Sequence, residues 1–133
     1  MVLLSGVLAH DQEQTICEAE VDRLVLFRRS DGSVGAWIGI ELMAQCIAAH
    51  AGLTAWLHNE TPRIGFLLGS RRVTFHVPRY VRGQCLRIRA ARTWGGPVGM
   101  VAFDCSIEDQ GQRVLAEARL NCFLPENPEA LAV

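Results

Sequence analysis

The chain has no lysine, so all 13 of its basic residues are arginines. Set against 14 acidic residues they leave a net charge of -1, and no bulk field draws the chain toward nucleic acid or an anionic membrane surface. The 5 cysteines, Cys17, Cys46, Cys85, Cys105 and Cys122, form no CxxC and no metal-type spacing with the 4 histidines. An odd, scattered set belongs in a reducing compartment, so a cytoplasmic location and no metal are expected. No phosphate loop or dinucleotide fingerprint is present, and no cofactor is implied. The opening MVLLSGVLAHD lacks a basic start and a cleavage signal. The longest apolar segment, residues 36–57, is interrupted by Glu41, Gln45 and His50, which argues against a membrane span.

What is present is a chain of 133 residues, half of them hydrophobic, enough for one core and not for two. We expect a single domain over residues 1–125 and a proline-containing tail over 126–133. VLLSGVLAHD and QTICEAEV read as two strands around a polar turn at His10 to Gln14, and RLVLF as an extension of the second. RRSDGSVG, residues 28–35, has the chemistry of a loop. A long helix follows, starting near Gly35 or Ala36 with Ser33 as its cap and ending around Asn59, before Pro62. IGFLLGSRRVTFHVP reads as a strand bent at Gly69, and CLRIRAART, VGMVAFDCSIED and QRVLAEARLNCFLP as three more, with WGGP and DQGQ between them. This order is α+β, one helix against an antiparallel sheet. A helix apolar on nearly every side must be surrounded, either by a sheet that curls around it or by a second copy.

Within that helix Glu41 stands out as a carboxylate in apolar surroundings. At 100° per residue, Gln45, Ala48 and Gly52 fall within about 40° of it, a stripe of polar and small residues fit to line a groove for an elongated ligand. His50 falls on the opposite side of the helix and cannot partner Glu41 in the same chain. A buried carboxylate has its pKa raised toward the range useful to a general acid. The alternative is a structural Glu that binds amides at the helix start or pairs with an Arg. Arg71, Arg72, Arg79 and Arg82 lie close in sequence and suit either a solvated edge or an anionic partner.

The run GIELMAQ after a glycine-containing loop, followed by FLLGSRRVTFHVP, resembles the hotdog-fold β-hydroxyacyl-carrier-protein dehydratases. With AWIGIELMAQ and LAEARLN taken together, the chain is most similar to the small predicted dehydratases of aryl polyene clusters, over nearly all of residues 2–124. The resemblance implies a long central helix wrapped by a curved antiparallel sheet, paired into a dimer by sheet extension, with acyl tunnels between subunits. It makes Glu41 the acid that assists departure of the β-hydroxyl and Gln45 its polar neighbour. It also places the amide that polarises the thioester carbonyl at Ala36, where the family has glycine, or at Gly35. The fatty-acid enzymes carry a His before that Glu to remove the α-proton, and the equivalent position here is Phe27. His10, in a hairpin turn, His58, at the helix end, and His76, alternating out of phase with Val73, Phe75 and Val77, do not replace it.

Because these dehydratases build each site from two subunits, one expectation is a partner hotdog chain that supplies the His. The homodimer or heterodimer would act on an acyl-carrier-protein or acyl-CoA thioester. A hotdog thioesterase using Glu41 and Gln45 to activate water is a second reading. A non-catalytic helper that docks an acidic carrier through its arginines is a third.

Overall fold

The computed structural model describes residues 1–61, 65–96 and 99–124; Pro62, Pro97 and the expected tail at 126–133 lie outside them. Strands β1 (Gly6–His10) and β2 (Gln14–Glu20) form an antiparallel hairpin. Its turn is held by Asp11, whose carboxylate accepts the N–H groups of Glu13 at 2.8 Å and Gln14 at 2.9 Å. RLVLF does not extend β2. Val21–Arg23 winds into a 3-10 turn, and the N–H groups of Leu24 and Phe27 bond back to the carbonyls of Val21 and Leu24, each at 3.0 Å. This winding turns Val21 and Leu24 into the core and leaves Val25 and Leu26 outside.

The expected loop at 28–35 contains a short strand, β3 (Val34–Gly35), which pairs with an unforeseen β5 (Arg79–Tyr80). The helix α1 (Ile38–Leu57) begins after both expected starts, with Trp37 at its N-cap and no side-chain cap. Ser33 is not the cap, because its hydroxyl donates to Asp31 Oδ1 at 2.6 Å. The start is fixed from below instead, by the buried Tyr80, whose hydroxyl donates to the Ala36 carbonyl at 3.0 Å. The other end falls close to the expected place, where Asn59 takes a left-handed φ of 54° and the Glu60 N–H returns to the Ala55 carbonyl at 2.8 Å.

With β4 (Phe66–Phe75), β6 (Cys85–Gly95), β7 (Met100–Glu108) and β8 (Val114–Phe123), the main sheet has six strands in the order β1-β2-β6-β7-β8-β4. Every pairing in it is antiparallel. The sheet is curved and α1 lies across β2, β6 and β7, the hotdog arrangement that the resemblance implies. Period-two alternation sends Cys17, Ala19, Leu86, Ile88, Phe103, Cys105, Ile107, Ala118 and Leu120 toward the helix, and Arg87, Arg89, Asp104, Glu117 and Arg119 away from it. Strand β4 ends the sheet, paired with β8 along one side. Its pairing slips between Leu67 and Gly69 and again between Ser70 and Arg72, which places the expected bend at Gly69 in a pair of irregularities.

By length and apolar composition α1 matches a membrane-crossing helix. The sheet covers only one of its sides. Ile38, Leu42, Met43, Cys46, Ile47 and His50 are buried against the strands, while Glu41 and Ala48 are exposed and Trp37 and Trp56 stand 62% and 71% exposed. Of the two ways to surround an apolar helix, curling of its own sheet is therefore not enough.

At Gly39 the helix passes so close to Tyr80 that a Cβ would collide with the phenolic oxygen and lie 2.9 Å from Ile107 Cδ1. Gly39→Ala should therefore lower stability by about 1–3 kcal/mol, the usual cost of overpacking. Tyr80→Phe added to it should recover part of the loss. Urea unfolding checks this, and a Gly39→Ala chain as stable as wild type contradicts it.

Candidate functional site

The exposed stripe of α1 begins at its N-terminal end. Trp37 and Glu41 are one turn apart on it, and Gln45 follows one turn later. Gln45 is fully engaged: its amide nitrogen donates to Glu41 Oε1 at 3.2 Å and to the Met1 carbonyl at 2.8 Å, while its oxygen accepts the Leu3 N–H at 2.8 Å. One side chain thus holds a carboxylate oxygen in place and straps residues 1–3 across the helix. A water at Glu41 would find no donor left on Gln45, since both amide hydrogens are used.

Glu41 is exposed in the single chain. The desolvation expected of a carboxylate on a buried helix is not supplied by its own subunit, because the side it occupies is the one the sheet leaves open.

At the helix start one of the two expected amide donors is engaged. The Ala36 N–H is bonded to the Pro78 carbonyl at 3.1 Å, beside the β3–β5 pair, and is not free for a thioester. Gly35 is buried in β3, and a Cβ there would lie 2.5 Å from Trp37 Nε1, so the glycine makes room for the indole folded over it. Intrahelical donors begin with Gly39, bonded to Ala36 O at 2.9 Å, and Ile40, bonded to Trp37 O at 3.2 Å. The first-turn donors ahead of them are the N–H groups of Trp37 and Ile38, at the positive end of the macrodipole. Trp37, whose place one turn before Glu41 was readable as a stripe position, is the residue that sequence reasoning passed over.

No imidazole of the chain meets Glu41. Phe27, where the resemblance to the fatty-acid enzymes would place a His, packs edge-on against Trp37 with ring centroids 6.0 Å apart. His58 Nδ1 lies 2.8 Å from the Thr54 carbonyl, and His76 is on the outer face against Glu117 at 2.9 Å, as its alternation implied. His50 and His10 meet elsewhere, across the buried hydroxyl of Thr15, at 2.8 Å and 2.7 Å from its oxygen. A hydroxyl has one proton, so it donates to one ring and accepts from the other, and the two imidazoles take complementary tautomers. Burial lowers the His50 pKa first, and the neighbouring His10 and Arg92 lower it further.

Four of the five thiols, those of Cys17, Cys46, Cys105 and Cys122, are buried in the core, away from the exposed Glu41. Cys46 is buried with its thiol against the carbonyls of Thr15 at 3.4 Å and Ile88 at 3.6 Å, and Cys105 is pushed up to about 12 by burial. Among the described residues no group of three or more His, Cys, Asp or Glu side chains is placed to hold a metal. The four arginines close in sequence part company in space. Arg71 and Arg72 line a groove on the outer face of the sheet with Arg89 and Arg119, whereas Arg82 lines another beside the loop before α1 and Arg79 faces Asp31 at 3.5 Å.

Comparison with known proteins identifies the family and the fold. The family model described as ApeP dehydratase, of the ApeP-like type, matches residues 1–133, and the chain belongs to that family. Among solved structures, the dehydratase heterocomplex ApeI:P from Xenorhabdus doucetiae is 30% identical with a TM-score of 0.87, covering 98% of this chain and 88% of that one. The smu.793 protein of Streptococcus mutans bound to acetyl CoA is 15% identical at a TM-score of 0.69, covering 90% and 86%. The PaaI protein of E. coli is 15% identical at 0.68, covering 89% and 81%; these last two share the fold. No curated protein matches the chain in sequence.

The His50 cluster generates a pH prediction. Its folded pKa lies below the unfolded value of 6.5, so unfolded chains bind the proton first. The stability His50 contributes is present above that value and lost as pH falls from there through its folded pKa. His50→Phe should make the unfolding free energy less dependent on pH between 7.5 and 5.5 than in wild type. Equal slopes in urea titrations would remove His50 as the cause.

Proposed function

We propose that this member of the ApeP-like dehydratase family is one subunit of a heteromeric hotdog dehydratase that converts 3-hydroxyacyl-carrier-protein thioesters to trans-2-enoyl thioesters in fatty-acid or aryl polyene synthesis. The observation that carries the reading is the pairing of a retained acid with a missing base: Glu41 stands on the open face of α1, and Phe27 stands where the resemblance to the fatty-acid dehydratases would place a His. A second hotdog subunit, covering that face, brings the His. The heterocomplex of the ApeI:P structure supports such a partner.

In this site the partner's imidazole takes the proton from Cα. Charge moves onto the thioester oxygen, where the first-turn amides of α1 stabilise it. The Cβ–O bond then breaks as Glu41 gives its proton to the departing hydroxyl; water leaves and the Cα–Cβ double bond forms. Passage of the proton from the imidazolium back to Glu41 restores the site. Covering by the partner excludes water from around Glu41, so the proton it gives goes to the departing hydroxyl. Gln45 orients the carboxyl. The reaction needs no metal or cofactor, and the 5 free thiols fit a cytoplasmic enzyme.

A helper subunit is the competing reading, favoured by the engaged Ala36 amide. Hydrolysis is disfavoured because Gln45 has no donor to spare for water. The purified pair of this chain and its partner hotdog subunit should dehydrate a 3-hydroxyacyl-carrier thioester that neither does alone. Glu41→Gln should lower kcat by about 100-fold or more, the scale of a lost general acid. Undiminished turnover in that variant would assign the chemistry to the partner and make this chain the helper.

A further inference from the structure

The chain has a single tyrosine, Tyr80, and it is fully buried beneath the start of α1. Its hydroxyl donates to the Ala36 carbonyl at 3.0 Å, and the Gly39 N–H donates to the same oxygen at 2.9 Å. Burial holds the phenol above its ordinary range, so the hydroxyl keeps its proton and stays a donor. The glycine at 39 is what lets the phenolic oxygen come this close, since a Cβ there would collide with it.

The Ala36 carbonyl is one end of a peptide group whose other end is the Trp37 N–H. That peptide is trans and planar, so its two ends point in opposite directions. The carbonyl faces Tyr80, and the N–H faces away from it, out of the N-terminal end of α1. Among the described residues the Trp37 N–H has no acceptor, whereas the amide before it, that of Ala36, is taken by the Pro78 carbonyl at 3.1 Å. Trp37 precedes Glu41 by one turn on the open stripe of the helix.

Donors on a carbonyl draw electrons through the peptide and strengthen the hydrogen bond that its N–H can give. Of the two open first-turn donors, Trp37 and Ile38, Trp37 is the one with a side-chain hydroxyl behind its peptide. That hydroxyl also fixes the plane of the peptide, because the phenol is packed in the core and cannot follow a movement of the helix start.

We infer that Tyr80 is a positioning residue of the thioester site: through the Ala36–Trp37 peptide it aims and strengthens the N–H that meets the substrate's carbonyl oxygen as charge develops there. This rests on the dehydratase reading, and it gives the part of the engaged Ala36 amide to Trp37, with a supporting part for a buried side chain that never touches substrate. An oxyanion donor contributes about 100- to 1000-fold to kcat, and a bond behind it strengthens it by about 10–30%, so the hydroxyl should contribute about two- to eightfold. The effect falls on rate and not on binding, because the negative charge is on the oxygen only in the transition state.

Because Tyr80 is the only tyrosine, supplying this chain with tyrosine fluorinated beside the hydroxyl alters that position alone. Fluorine withdraws electrons from the ring and makes the hydroxyl a stronger donor, whereas Tyr80→Phe removes it, so the two changes push in opposite directions. The isotope-labelled chain is compared in wild-type, Phe and fluorotyrosine forms within the heteromeric complex. The triple-resonance NMR cross-peak that joins the Trp37 amide to the Ala36 carbonyl carbon should move upfield in Tyr80→Phe and downfield with fluorotyrosine. In single turnovers at saturating substrate the rate should fall by the stated factor in Tyr80→Phe and rise with fluorotyrosine, at unchanged KM. A role in packing alone moves both forms the same way or neither. Shifts that are absent or of equal sign overturn the inference, as does an unchanged rate in Tyr80→Phe, a loss of rate in both forms, or a change confined to KM. If Tyr80→Phe fails to fold, the fluorotyrosine form still decides by the signs of its shift and its rate. The cross-peak is read without turnover, so an inactive complex with opposite shifts would count against the dehydratase reading alone.

Discussion

The molecule is organised around a mismatch between its helix and its sheet. Helix α1 is apolar nearly all the way round, and the curved sheet desolvates one side of it. Burying the inner side supplies the core. The outer side, with Trp37, Ala48 and Trp56, remains in water until something covers it. Apolar surface of that kind on a small domain marks a place of association. Glu41 sits within it, so the chemistry of the carboxylate and the assembly of the protein are one problem: whatever buries the helix also dries the acid.

The helix start shows how closely the two are linked. Tyr80 fixes the Ala36 carbonyl, Pro78 takes the Ala36 amide, and the close approach at Gly39 lets the phenol reach in under the first turn. The strand pair β3–β5 therefore sets where α1 begins and which amides point outward. Gln45 then ties the outward carboxylate to the strap formed by residues 1–3. Each of these contacts joins segments far apart in sequence.

That distance in sequence explains what was legible beforehand. The long strands and the helix were visible, because period-two alternation and a long, mostly apolar run are local signals. So was the isolation of Glu41 from every His, which follows from helical angle and strand phase. RLVLF was misread because Leu24 and Val21 go inward at a spacing of three while looking like strand residues. Ser33 looked like a cap but serves Asp31. The engagement of the Ala36 amide left no trace in the sequence, because its acceptor, Pro78, stands beside a strand pair of two residues each, too short to make a pattern. The arginine cluster dissolved for a related reason: residues near in sequence but on either side of a chain reversal face different grooves.

Strand β4 ends the sheet with one side unpaired by any described strand, and its pairing with β8 slips twice within ten residues. A regular edge of that length is a template on which any extended chain can zip up, and fibrils grow by that route. Two irregularities and the charges of Arg71 and Arg72 break the template into short pieces. A strand that extends the sheet at this edge must match the same two slips, so the edge fits one neighbour better than an arbitrary extended chain.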